Sequence, residues 1–100
     1  MADPDTATSP AQSEFAAGLA YELHPQVALR REPFGALAYH FGNRRLTFVR
    51  SFELVALIER LGDHSSVTAA FDASGLSDGV RPAIVRALAA LERSEVIRAR

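Results

Sequence analysis

The 100-residue chain has no cysteine and no lysine, and no apolar run approaches the length of a membrane span. Each absence excludes something. Without cysteine there is no disulfide framework and no thiolate chemistry, which fits a reducing compartment. Without about 20 consecutive apolar residues there is no helical membrane span. The first residues, MADPDTATSPAQSE, lack the positive start and apolar core of a secretory signal, so a cytoplasmic location is expected. Basic residues are missing from the first 29 positions, which carry Asp3, Asp5, Glu14 and Glu22. All basic residues are arginine, and alanine is abundant. Both match a GC-rich coding background and assign no function. Net charge is −1, yet Arg30, Arg31, Arg44, Arg45, Arg50 and Arg60 outnumber the acids between positions 30 and 60.

Length and composition predict one small domain with a modest core. Residues 1–13, rich in Pro, Ser, Thr and Ala, are expected to be a disordered acidic tail, leaving 14–100 as the domain. The stretch EFAAGLAYEL, 14–23, predicts a short helix or docking arm through Phe15, Leu19 and Leu23, weakened by Gly18. Residues 26–32 alternate between Pro25 and Pro33 and predict an edge strand. FGALAYHFGNRRLTF, 34–48, predicts a β-hairpin. A two-residue type II′ turn at Gly42-Asn43 pairs Phe41 with Arg44, Tyr39 with Leu46 and Leu37 with Phe48. Leu37, Tyr39, Leu46 and Phe48 then share one sheet face. Ala36, Ala38, His40, Arg45, Thr47 and Val49 share the other. In this geometry Arg44, Leu46 and Phe48 bond inward, and Arg45, Thr47 and Val49 aim their amides outward.

Three helices are predicted next. Ser51 caps the first, which carries Leu54, Leu57, Ile58 and Leu61 and stops at Gly62. Ser65 or Ser66 caps the second, with Val67, Ala70 and Phe71, closed by Gly75. Asp78 caps the third, with Pro82 in its first turn and a stripe of Val80, Ile84, Ala87, Leu88 and Leu91. Val96 and Ile97 form an extended tail. The expected class is α+β: a three-stranded antiparallel sheet followed by a three-helix, winged-helix-like bundle.

Catalytic chemistry finds little to work with. His24, His40 and His64 have no metal-ligand spacing, so no metal is expected. The glycines build no phosphate loop, and Ser51, Ser65 and Ser66 are explained as caps. An enzyme is not expected. A winged-helix DNA-binding regulator is the alternative, with Arg81, Arg86 and Arg93 on the last helix. Glu92 and Glu95 offset those charges, against a need for phosphate contacts. A third class follows from the sheet. Prolines and charges guard its first strand, but the third, 44–50, has no proline and carries Leu46, Phe48 and Val49. Such an edge either accepts an extended peptide or is covered by the last helix.

The stretch LHPQVALRREPFGALAYHFGNRRLTFV, 23–49, resembles the peptide chaperones of mycofactocin biosynthesis, a branch of the PqqD-like precursor-peptide recognition elements. LHPQVA, EPFGAL, YHFG and RRL carry the resemblance. The chain departs from the family pattern at Ser94-Glu95, where a small residue such as glycine is expected. The resemblance implies a non-catalytic chaperone that takes no cofactor. It would hold the leader of a ribosomally made precursor peptide and present it to a radical S-adenosylmethionine (SAM) maturase. Any iron–sulfur chemistry would belong to that partner, since this chain offers no cysteine ligands. Leader binding is implied between the third strand (Arg44, Arg45, Leu46, Thr47, Phe48, Val49, Arg50) and the last helix (Val80, Arg81, Ile84, Val85, Leu88). The arginines predict an acidic peptide with interleaved apolar residues. Neither nucleic acid nor membrane is expected as a partner.

Overall fold

The computed structural model describes residues 15–100. The expected tail, 1–13, and Glu14 lie outside the described residues. The element order is β1 (Tyr21–Leu23), β2 (Val27–Glu32), β3 (Gly35–His40), β4 (Leu46–Val49), α1 (Phe52–Arg60), α2 (Val67–Ser74), α3 (Arg81–Arg93) and β5 (Ile97–Ala99). Strands β2, β3 and β4 form an antiparallel meander in that spatial order. The expected α+β arrangement, a three-stranded sheet followed by three helices, is present.

A second, two-stranded ribbon was not expected. β1 pairs with β5, Tyr21 facing Ala99 and Leu23 facing Ile97. Of the helix or docking arm predicted over 14–23, the helix is absent from the described part, while Phe15 and Leu23 pack against the core as an arm would. A turn closed by Leu19 N–H to Ala16 C=O (2.9 Å) leads into β1 instead. The physical reason is burial. Tyr21 and Ile97 are both core residues, and Leu19, which a helix would have buried, is exposed. Tertiary pairing with a distant strand overrode a weak local propensity.

The meander register is the predicted one: Tyr39 opposite Leu46 and Leu37 opposite Phe48. Its two faces are unequal. Ala36, Ala38, His40 and Val49 face the helices and are buried. The two alanines leave room for α1, whose Val55 and Ile58 are wholly enclosed in the same core. The larger Leu37, Tyr39, Leu46 and Phe48 face away. At the first corner, Gly35 has a φ of 143°, and a Cβ there would collide with the Val49 carbonyl oxygen.

The turn between β3 and β4 differs from the predicted type II′ hairpin. It is a four-residue loop, 41–44, closed by His40 N–H to the Arg45 carbonyl (2.9 Å) and Arg44 N–H to the His40 carbonyl (2.8 Å). Arg44 takes the left-handed conformation, φ 65°. His40 organises this loop: its buried Nδ1 accepts from the N–H groups of Gly42 (3.0 Å) and Asn43 (3.1 Å). Asn43 Oδ1 then accepts from Arg45 N–H at 2.8 Å. A buried ring nitrogen needs donors, and only a loop wrapped over the imidazole supplies two.

Ser51 Oγ caps α1 through Leu54 N–H, and Ser66 Oγ caps α2 through Ala69 N–H. Gly75, φ 80°, closes α2 as expected. Gly62 does not stop α1, which tightens into a 3-10 turn over Leu61–Asp63. Asp78 begins a 3-10 turn, Asp78–Val80, rather than capping α3 with its side chain. The C-terminus of α3 closes by a paired-bond motif: Val96 N–H to Leu91 C=O (2.8 Å) and Glu95 N–H to Glu92 C=O (2.9 Å). Glu95 occupies the left-handed position of that motif, φ 64°, within the Ser94-Glu95 pair where a small residue such as glycine was expected.

Candidate functional site

β4 is an outer strand of the meander. The last helix does not cover it, since the main contacts of α3 are with β5 and with the 3-10 turn ahead of it. β3, the central strand, shows which β4 groups remain outward. Its residues bond alternately to the two neighbours. Phe41 N–H turns to Gln26 on the β2 side (2.8 Å), and His40 N–H turns to Arg45 on the β4 side. Carried along the register, Ala38 faces Thr47 and Ala36 faces Val49 across bonded pairs. Arg45, Thr47 and Val49 therefore bond inward, and Leu46 and Phe48 present N–H and C=O to the open edge. This reverses the expected phase. A four-residue loop moves the closing bonded pair from Phe41–Arg44 to His40–Arg45 while keeping the register. The side-chain faces come out right and the amide directions opposite. Among the described residues, no further hydrogen bond reaches the Leu46 or Phe48 amides.

Arginines mark both ends of this edge. Arg44, Arg45 and Arg50 are exposed and have no acidic partner among the described residues. The Arg50 guanidinium sits 5.1 Å from the Phe48 ring centroid and 5.8 Å from that of Phe34. Those rings stack at 5.6 Å. Leu46 is 53% and Phe48 50% exposed.

Beyond Arg50 the chain runs beside a shallow cleft lined by Ser51, Glu53, Leu76, Val80 and Ile84. Two of the predicted helix residues, Val80 and Ile84, thus reach a surface continuous with the end of β4. Val85 is half-buried. Val49 and Leu88 are core side chains, so only the Val49 backbone lies near the strand surface. Arg81 is tied to its own domain. It bonds Asp72 at 3.1 Å, lies 3.5 Å from Asp78 and stacks 4.3 Å over Phe71. That commitment also removes one of the three arginines that a DNA-reading helix would use.

The histidines serve the fold. The His24 and His40 rings lie 4.4 Å apart with their planes tilted by 48°, and His24 Nδ1 accepts from Gln26 N–H at 3.0 Å. Among the described residues no group of three His, Asp or Glu side chains could hold a metal ion. His40, expected on a sheet face beside Arg45, does pair with Arg45 through the backbone, but its ring is enclosed against the helices.

The profile of the peptide chaperone MftB family matches residues 20–98. The chain belongs to that family. It is 39% identical over 97 residues to the peptide chaperone MftB of Mycobacterium ulcerans (strain Agy99), covering 92% of this chain and 89% of that protein. It is 38% identical over 98 residues to the peptide chaperone MftB of Mycobacterium tuberculosis (strain ATCC 25618 / H37Rv), covering 92% and 90%. No solved structure matches the chain. The MftB match spans β1 and most of β5, so the terminal ribbon lies within the family's domain. Members are named for chaperoning, a role of binding rather than catalysis. No helix among the described residues of this MftB-family chain is long and apolar enough to cross a membrane.

Sequence reasoning passed over Phe34 and Phe41 as functional candidates. Phe41 is 59% exposed and packs edge-on with Tyr39 at 5.4 Å. The signal was available in GALAYH: alanines alternate with larger residues, and only the alanine face is small enough for a helix to pack against closely.

Proposed function

We propose that this protein binds the leader of a ribosomally made precursor peptide by β-strand addition. It then presents the peptide to a radical SAM enzyme in mycofactocin-type biosynthesis. The observation that carries this reading is the open edge of β4, with the outward amides of Leu46 and Phe48 between Arg44–Arg45 and Arg50. An extended peptide pairs with such an edge through its main chain and gains specificity from side chains on both faces. One face of the added strand would meet Leu46, Phe48 and the Arg50 guanidinium. The other would lean toward the cleft of Ser51, Val80 and Ile84. Family membership and the peptide-chaperone names of the relatives support a binding role. The chaperone contributes position and charge, and the modifying chemistry belongs to its partner.

The arginines make the partner peptide acidic, with apolar residues at strand spacing. Titration of an acidic peptide with apolar residues at strand spacing is expected to give an affinity that weakens as salt rises. Arg44→Ala/Arg45→Ala should bind more weakly and with a flatter salt dependence. Exposed pairs of this kind contribute about 0.2–1 kcal/mol each. Equal affinity at low and high salt in the parent protein would refute the charge argument. No detectable peptide binding would refute the function itself.

A further inference from the structure

We propose that His40 is a proton-sensitive positioning residue for the peptide edge: the neutral ring holds the loop 41–44, the charged ring releases it, and acid therefore weakens peptide binding. The proposal rests on the preceding reading of β4 and names a regulation of that same site. His40 is only 4% exposed. The N–H groups of Gly42 and Asn43 both aim at its Nδ1, so the single proton of the neutral ring sits on Nε2. Among the described residues Nε2 is buried without a hydrogen-bond partner, and the Glu95 carboxylate lies 3.7 Å from it. The loop is seated closely on the ring. A Cβ added at Gly42 would meet the imidazole Cε1 at 2.9 Å.

A second proton acts on both sides of the ring. Nδ1 becomes a donor facing two donors, and the Gly42 and Asn43 N–H groups lose their acceptor. Nε2, now part of a cation, gains from the Glu95 carboxylate. The same carboxylate oxygen lies 3.4 Å from Asn43 Nδ2, so a shift toward the ring draws it from the loop. Asn43 Oδ1 in turn holds Arg45 N–H, and Arg44 takes its left-handed conformation only within this closed loop. Loosening therefore reaches Arg44, Arg45 and the outward Leu46 amide next to them.

Few other charged or titratable groups surround the ring. From the turn after β1 the His24 ring lies 4.4 Å away, and burial disfavours a charge on it. Beyond His24, Glu22 and Arg98 of the ribbon pair with each other. β2 presents the apolar Val27, and Glu92 of α3 is placed against Tyr21. Arg44 and Arg45 on the loop are exposed. Charge alone argues for the opposite response: a cation added beneath those arginines would attract an acidic peptide more strongly. Weaker binding in acid thus reports the loop.

The test uses the full chain and a peptide with aspartates as its acids and apolar residues at strand spacing. It is titrated between about pH 7.5 and about pH 5.5, where histidine changes charge and aspartate does not. Circular dichroism checks that the chain is folded at each pH. The parent is expected to lose about tenfold in affinity, as follows when the binding-competent fraction falls to about a tenth. The NMR amide signals of Gly42 and Asn43 should move over the same range. His40→Asn keeps an acceptor where Nδ1 stands and takes no proton, so its affinity and amide signals are expected to stay level. Glu95→Gln removes the partner of the charged ring and should move the loss of affinity to lower pH. It also keeps the test sound should His40→Asn fold poorly. Parent affinity that is level or rises in acid would overturn the proposal. So would a His40→Asn profile that falls like the parent's, a Glu95→Gln profile equal to the parent's, or amide signals that ignore pH. A parent that binds no peptide at the higher pH would instead overturn the reading of β4, and the Gly42 and Asn43 amides would then decide the loop transition by themselves.

Discussion

Glu95 holds a conformation that favours glycine. Its φ of 64° follows from the closure of α3, where Val96 must turn back to bond Leu91. A side chain in the left-handed region costs about 1–2 kcal/mol. The compensation is slight: the carboxylate lies 3.4 Å from Asn43 Nδ2 and 3.7 Å from His40 Nε2, and it is mostly exposed. Glu95→Gly is expected to stabilise the domain by about 0.5–1 kcal/mol, read as a thermal midpoint higher by roughly 4 °C. A lower midpoint would mean that the contact with the His40 loop outweighs the backbone strain. His24 gives a second prediction. Desolvation by burial lowers its pKa from 6.5, and the neighbouring His40 and Arg98 lower it further. The unfolded chain then binds the proton first as pH falls. This contribution to stability is complete above about 6.5 and is lost as pH drops through the lowered folded-state value. Denaturant midpoints measured from pH 7.5 down to pH 5 should fall, and His24→Gln should flatten the fall. An unchanged slope in that variant would assign the acid sensitivity elsewhere.

At the scale of the element, the β3–β4 hairpin decides what the edge can do. Thr47 bonds inward to Ala38, so Thr47→Pro should break the meander and lower the melting midpoint sharply. Leu46 aims its amide outward. Leu46→Pro should therefore leave the fold in place while peptide binding is lost, because proline is tolerated on an open edge but cannot donate to a new strand. Circular dichroism melts beside peptide titrations separate the two outcomes. Peptide binding by Leu46→Pro equal to that of the parent would exclude strand addition at β4. The same hairpin shows how far the sequence could be read. Alternation of apolar residues set the register and both faces correctly, because a slip by one residue scatters the large side chains. The amide phase was not legible. It depends on loop length, and loop length depends on a buried imidazole reaching back to Gly42 and Asn43. Glycine followed by asparagine suits a two-residue turn in isolation. Nothing local announces that His40 will be enclosed and will need two donors. The β1–β5 ribbon was hidden for a similar reason: Tyr21–Leu23 finds its partner at the far end of the domain, in Ile97–Ala99.

At the scale of the molecule, the peptide edge and the closure of the fold belong to different sheets. The ribbon of β1 and β5 joins the two ends of the domain. It is backed by Tyr21, Val96 and Ile97 in the core and tied by an Arg98–Glu22 pair at 2.8 Å. Ile97→Ala removes a fully buried side chain there and is expected to cost about 3 kcal/mol. A domain of this size holds only about 5–15 kcal/mol in all, so a visible fraction would unfold on mild heating. β4 lies in the other sheet and keeps its register and outward amides in the folded fraction. A ligand that binds only the native state stabilises it by mass action, by about 2.7 kcal/mol at a hundred times its dissociation constant. Precursor peptide at that excess should therefore return most of what Ile97→Ala loses. It should also add the same increment to the parent protein. Chemical denaturation of both proteins, with and without peptide, measures the two increments. Equal increments would show that the edge binds peptide independently of the ribbon. A larger increment in the variant would mean that the peptide also orders the terminal strands. In that case binding at β4 and closure of the fold form one cooperative unit.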